Sequence, residues 1–127
     1  PLFTMDFEGI NLKNETFKKF FDSLTPMFNM HISLGQTNTT ITCPALTTHS
    51  EMDEATLKLT GLHLTTMRIS IGDENPKELI NHFIASAKRS IKHEFPNFVE
   101  AFPSKEEIDK IVTNEYMKYH KNYIDTL

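Results

Sequence analysis

The amino-acid sequence predicts an α/β fold, an α+β sandwich in which two consecutive βαβ units form one sheet with two helices on one face. Two observations predict it. The order strand, helix, strand occurs twice, over about residues 1–46 and 62–119, and each helical segment carries its apolar residues along one stripe. Such a stripe is typical of a helix that packs on a sheet. We therefore expect a single domain over residues 1–127.

The first half begins with a strand at the N-terminus. Phe3, Met5 and Phe7 alternate with Leu2, Thr4 and Asp6, which is the period of a strand. Asn14 is the predicted N-cap of a helix that Pro26 kinks or ends near its last turn. Its apolar stripe consists of Phe17, Phe20, Phe21, Leu24 and Phe28. The β-branched run 38–43 predicts the second strand, which Pro44 limits to an edge or an end.

The second half repeats this order. Alternation between Leu62 and Gly72 predicts a strand, and Asn75, Pro76 and Glu78 form a helix-start signal after it. Pro96 ends that helix. A further helix start follows Ser104, whereas the segment 111–117 is ambiguous and is interpreted as a short last strand.

Composition and charge exclude several classes of protein. A net charge of −4 with scattered basic residues argues against a nucleic-acid partner. Cys43 is the single cysteine, so an internal disulfide framework is excluded, and no apolar run of about 18 residues predicts a membrane span. We therefore expect a cytoplasmic location. The histidines lack the close spacing of metal ligands, and we expect no metal and no cofactor.

These features resemble the tautomerase superfamily, and they are most similar to its 5-carboxymethyl-2-hydroxymuconate isomerase family. The similarity rests on PLFTMDFE at the N-terminus, on FFDSLTPMF, and on TMRISIG before a long helix that ends IKHEF. It extends from Pro1 to about Phe95. The resemblance implies a homotrimer that binds a small enol or keto acid near each Pro1, with part of each pocket formed by the neighbouring subunit.

The same resemblance implies that Pro1 is the catalytic base of a cofactor-independent keto–enol tautomerase or isomerase. A free α-amino group titrates at about 7.7–8.0, and burial in an apolar pocket lowers its pKa. Leu2 and Phe3 are predicted to supply that apolar surface and to contact the substrate. A neutral secondary amine then removes a proton near neutral pH and returns it later.

The sequence departs from the isomerase family where carboxylate-binding arginines are expected. By spacing, those positions fall on Thr40, Thr42 and Asp73. We therefore expect Thr40 and Thr42 to offer hydroxyl groups to a less charged substrate, with Asp73 beside them. Of the two arginines, Arg89 is interpreted as a solvated charge and Arg68 as a member of a structural ion pair on the polar sheet face. The alternative is a non-catalytic trimeric binding or interaction protein of the same fold.

Overall fold

The computed structural model describes residues 1–30, 37–47 and 50–127. Its strands are β1 (Leu2–Met5), β2 (Asn29–Met30), β3 (Thr40–Thr42) and β4 (Met67–Ser70). Its α-helices are α1 (Asn14–Ser23), α2 (Glu54–Leu59), α3 (Pro76–Ser90), α4 (Pro96–Glu100) and α5 (Lys105–Asp125). Short 3₁₀ turns at Glu8–Ile10 and Pro44–Leu46 follow β1 and β3.

The sheet has the order β1-β4-β3-β2. Strand β4 is antiparallel to both β1 and β3, whereas β2 and β3 are parallel. Side chains on one face come from positions that pair across the sheet, such as Phe3, Ile69 and Ile41. Ile41, Met67 and Ile69 on this face belong to the hydrophobic core. The opposite face is polar over much of its area, because it carries Thr4, Arg68, Ser70, Thr40 and Thr42 together with Leu2.

Helices α1 and α3 pack against each other and against the apolar sheet face. The stripe predicted for α1 is buried at Phe17, Phe20 and Phe21, and Phe20 meets the ring of Phe83 edge to face with centroids 5.2 Å apart. Such aromatic pairs add to the free energy gained from apolar burial. The helix pair therefore forms the second layer of the fold.

Polar side chains from the α3 side hold both ends of α1. The Nε2 atom of His82 lies 3.0 Å from the carbonyl oxygen of Leu24 and 3.2 Å from that of Ser23, and the Ser86 hydroxyl donates to the same Ser23 carbonyl at 3.1 Å. The carbonyls at the C-terminal end of a helix have no partner within it, and the Leu24 carbonyl also accepts the N–H of Phe28 at 3.0 Å. At the other end of α1, the carboxylate of Glu94 accepts the N–H of Lys13 at 3.0 Å and the hydroxyl of Thr16.

Local sequence signals predicted most of the helix starts correctly. Asn75 caps α3, since its side chain accepts the N–H of Lys77 at 3.0 Å and Pro76 opens the helix. Ser104 and Glu107 form a complete capping box at the start of α5. The predicted cap of α1 is off by one residue, because Lys13 is the N-cap and Asn14 is the first helical residue.

The predicted last strand is wrong, because residues 111–117 lie inside α5. The buried residues of α5, Ile108 and Val112, lie four positions apart and pack with Ile84. That spacing brings them onto one helix face. The charged residues between them, which interrupt the apolar run, lie on the other faces of the helix.

The predicted fold class is also wrong. Two βαβ units with two parallel strand pairs require a parallel pair in the second half, whereas β4 pairs antiparallel with both of its neighbours and the second half continues as helices. The tautomerase-like trimer was inferred with that architecture and is not retained. The single domain over 1–127 and the repeat boundaries 1–46 and 62–119 stay predictions. In the described residues, no helix combines the length and the apolar character needed to cross a membrane.

Candidate functional site

Arg68 lies at the centre of the polar sheet face. The strand pairing sets Arg68 between Thr4 of β1 and Thr42 of β3, so three polar side chains form one row across the sheet. Directly paired residues on one face have Cβ atoms about 4.5–5.5 Å apart. Alternation along β4 explains the placement, because Met67 and Ile69 occupy the core face and leave Arg68 on the opposite one.

The Nε atom of the Arg68 side chain has no hydrogen-bond partner among the described residues. That side chain is half-buried, and its Nε atom is buried. The ion pair expected for Arg68 is not found among residues 1–30, 37–47 and 50–127. A buried donor without an acceptor is unfavourable by about 1–3 kcal/mol, and more when the group is charged. The geometry of this face therefore favours an anion that accepts from Arg68.

Two predicted substrate-binding residues, Thr40 and Thr42, share this face with Arg68. They are only 1% and 5% exposed, and they pair with Ser70 and Arg68 of β4. Leu2 pairs with Ser70, which in turn pairs with Thr40, so Leu2 borders the same face. A hydroxyl both donates and accepts. The face thus combines the cation of Arg68 with three buried hydroxyl-bearing residues, Thr40, Thr42 and Ser70.

The other predicted site residues do not join this group. Phe3 belongs to the opposite sheet face, where it lines an apolar groove with Phe28, Leu79 and Phe83. Asp73 is exposed at the turn after β4, where its backbone N–H donates to the carbonyl of Thr37 at 2.7 Å. The six predicted residues therefore do not form one pocket.

Pro1 is exposed at the start of β1, and its carbonyl oxygen accepts the N–H of Ile71 at 3.0 Å. The apolar surroundings expected for its amine are not observed, since Leu2 is 48% and Phe3 is 46% exposed. The predicted role of Pro1 as a base required desolvation of its amine, and an open environment does not provide it.

The turn between β4 and α3 is a feature that sequence reasoning missed. The carboxylate of Glu74 accepts the N–H and the hydroxyl of Thr39, both at 2.7 Å, and the N–H of Gly72 donates to that hydroxyl at 2.9 Å. Burial raises the pKa of Glu74, but the hydrogen bonds from Thr39 outweigh it and lower the pKa overall. This network fixes the start of β3 beside β4, and so fixes Thr40 relative to Arg68. In the sequence, the segment Gly72–Glu74 after a strand was the feature that could have indicated this turn.

The described residues favour neither metal binding nor nucleophilic chemistry by the thiol of Cys43. The described residues contain no group of three or more His, Cys, Asp or Glu side chains suited to a metal ion. Cys43 is buried, and burial raises the pKa of its thiol. The thiol donates weakly to the carbonyl of Leu64 at 3.6 Å. A buried neutral thiol is a poor nucleophile.

The described residues form an α/β arrangement whose polar sheet face carries Arg68 between Thr4 and Thr42. Residues 3–88 match the family model described as Cys/Met metabolism PLP-dependent enzyme. Because the match extends over more than half of the chain, the chain belongs to that family. No curated protein sequence matches it.

Solved structures of PLP-dependent enzymes resemble the fold. An O-acetylhomoserine (thiol)-lyase from Campylobacter jejuni is 30% identical with a TM-score of 0.58, and the match covers 68% of this chain and 20% of that one. A cystathionine gamma synthase from Xanthomonas oryzae pv. oryzae, in complex with cystathionine, is 27% identical with a TM-score of 0.57, and covers 70% and 22%. A cystathione gamma lyase from Micromonospora echinospora is 25% identical with a TM-score of 0.56, and covers 67% and 21%. The chain spans about a fifth of the length of these enzymes.

The family match overturns the tautomerase interpretation. The prediction of a cofactor-independent tautomerase with Pro1 as base rested on a resemblance that neither the family model nor these structures support. The predicted isomerase family and the predicted trimer rested on the same resemblance. The misleading resemblance has a physical cause. Strands that alternate and helices with one apolar stripe occur in many unrelated α/β domains, so their order alone does not separate the families.

The described residues do not fit a complete site for PLP. In enzymes of this kind a lysine carries the cofactor covalently, and its phosphate is held by several donors. Each lysine of the chain lies on the surface except Lys77, which is half-buried and lies 3.7 Å from the carboxylate of Asp109. No buried lysine therefore faces a pocket in residues 1–30, 37–47 and 50–127. We derive no reaction step through PLP from this chain.

Proposed function

We propose that the polar sheet face supplies the substrate-carboxylate site of a PLP-dependent lyase or synthase that acts on a small amino acid. The observation that carries the proposal is the buried, unpartnered Nε of Arg68. Family membership supports the class of enzyme, and the relatives named above act on or bind amino acids such as cystathionine. Every such substrate carries an α-carboxylate.

Arginine is suited to this role because its planar fork forms paired hydrogen bonds with a carboxylate. In the proposed complex, one carboxylate oxygen accepts from Nε and the other from a terminal nitrogen of the Arg68 side chain. The row of Thr4, Arg68 and Thr42 places a hydroxyl on each side of the guanidinium. We propose that Thr42 donates to the bound carboxylate, and that Thr40 and Leu2 border the site.

The chain's own part in the reaction is then to bind and orient the substrate. The cofactor's lysine does not come from the described surface lysines, so the proposal assigns the cofactor to protein outside these residues. A fixed carboxylate would align the reacting carbon with such a cofactor site.

The experiment that tests the proposal is a titration of the chain with methionine, followed by NMR of backbone amides. We expect saturable shifts around Arg68 and Thr42. Methionine's decarboxylated counterpart, 3-(methylthio)propylamine, should produce no shifts at Arg68 and Thr42, because it lacks the carboxylate. Arg68→Gln should weaken methionine binding by roughly tenfold or more, as a charge-assisted hydrogen bond is lost.

Arg89→Gln is the matched control, since Arg89 is exposed on α3 and the substitution is chemically identical. We expect wild-type binding for this variant. Equal binding of methionine by the wild-type chain and by Arg68→Gln, with both folded by circular dichroism, would contradict the proposal.

A further inference from the structure

A second cavity lies away from the polar sheet face. It has a volume of about 360 Å³, and its wall comes from the 3₁₀ turn after β1, the start of α1, helix α2 and the segment before β4. Ligand pockets usually have volumes of about 300–1,000 Å³. We call it the Glu8–His63 pocket, after the two polar residues that the next paragraphs concern.

Part of the pocket wall is apolar. Phe7, Leu12 and Leu57 line it and are buried, and Leu62 and Leu64 beside them are half-buried. This surface suits a short hydrocarbon chain, because apolar contact removes such a chain from water.

The charges at the rim leave one carboxylate without a fixed cation. Lys58 lies 3.2 Å from the carboxylate of Glu54, and Lys13 interacts with Glu94 outside the pocket. Glu8 has only His63 as an ionisable neighbour within ion-pair distance in the described residues. Among the residues that line the pocket, Glu8 is therefore a carboxylate with no lysine or arginine within ion-pair distance in the described residues.

The ring of His63 adds a buried nitrogen that has no hydrogen-bond partner in the described part of the chain. Its Nδ1 atom is buried and makes no hydrogen bond, although it lies 3.5 Å from a carboxylate oxygen of Glu8. The backbone N–H of His63 is already used, since it donates to the hydroxyl of Thr66 at 2.8 Å. In neutral histidine with its proton on Nε2, Nδ1 is an acceptor. In that tautomer, Nδ1 can accept a hydrogen bond from a ligand in the cavity.

We infer that this pocket binds a small aliphatic amine as its ammonium ion, a function that is independent of the proposed carboxylate site. The ammonium donates one hydrogen bond to Glu8 and one to Nδ1 of His63, and its hydrocarbon chain contacts the apolar wall. A neutral alcohol lacks the charge, and a carboxylate meets repulsion from Glu8. The pocket therefore selects for positive charge at the head of the ligand.

The experiment is an NMR titration of the 127-residue chain with n-butylammonium chloride, in which the ring signals of His63 report binding. We expect saturable shifts of His63 and of the Leu57 methyl groups. At least tenfold weaker binding is expected for Glu8→Gln, and no saturable shift is expected with butyrate or butanol.

Glu15→Gln serves as the matched control, since Glu15 is exposed in the first turn of α1 and does not line this pocket. It should bind n-butylammonium like the wild-type chain. Two results would overturn the inference: unsaturable shifts, or equal binding by Glu8→Gln and the wild-type chain. His63→Phe keeps a ring in place of the acceptor and provides a second test if Glu8→Gln does not fold. It should also weaken binding, and unchanged binding would contradict the inference.

Discussion

Gly72 lies where the backbone after β4 touches the backbone before β3. A Cβ atom at this position would lie 2.2 Å from the carbonyl oxygen of Thr37 and 2.6 Å from the nitrogen of Thr39. The same close approach brings the Gly72 N–H to the Thr39 hydroxyl. At the residue scale, this contact allows Glu74 to hold Thr39, and it thereby sets the position of β3 beside Arg68.

Gly72→Ala should therefore lower the free energy of unfolding by about 1–3 kcal/mol or more, because the new methyl group would overlap backbone atoms that cannot move aside freely. Chemical denaturation measures the change. Gly9→Ala is the control, as a Cβ there has no neighbour within 4 Å. Similar unfolding midpoints for the two variants would show that the Thr37–Thr39 backbone yields easily.

At the scale of single elements, α1 depends on groups from the α3 side for both of its ends. Its own N-cap, Lys13, makes no side-chain capping bond, and Glu94 accepts the Lys13 N–H instead. The hydroxyl of Thr16 lowers the pKa of Glu94 most strongly, partial desolvation opposes this, and the N–H and charge of Lys13 lower it further. Long-range capping of this kind is invisible in the sequence of α1.

This arrangement predicts a pH dependence. Since the pKa of Glu94 is lower in the folded chain than in the unfolded one, its contribution to stability is present above the unfolded pKa and is lost as the pH falls through the folded pKa. Glu94→Gln should therefore be less stable than the wild-type chain at neutral pH, and the difference should shrink in acid. Denaturation curves at several pH values measure it. The exposed residue Glu115, changed to Gln, should show no such convergence.

At the scale of the whole molecule, α5 is joined to the remainder by a short contact. The family match ends at residue 88, so α4 and α5 lie outside it. Ile108 and Val112 pack with Ile84, and Lys77 lies 3.7 Å from Asp109. Further along the same stripe, α5 exposes side chains at Tyr116, Tyr119 and Tyr123.

Ile108→Ala should release α5 from α3, with a loss of about 2–4 kcal/mol in the free energy of unfolding, because it removes buried methyl groups from a small cluster. Hydrogen exchange should report lost protection in α5 before the core of the sheet opens. Ile111→Ala is the matched control, as Ile111 is 56% exposed on the same helix. If both variants have equal stability, the Ile84 contact does not anchor α5.

The sequence by itself determined the features that depend on near neighbours in the chain. The α1 stripe, the Asn75 cap with Pro76, and the helix start after Ser104 were predicted because capping and periodicity act within a few residues. Only the tertiary structure decided the strand directions and the strand order, which join residues far apart in sequence. The tertiary structure alone showed that Arg68 lies between Thr4 and Thr42. It also showed that Arg68 lacks the expected ion pair within the described residues, because such a pair depends on how distant segments pack.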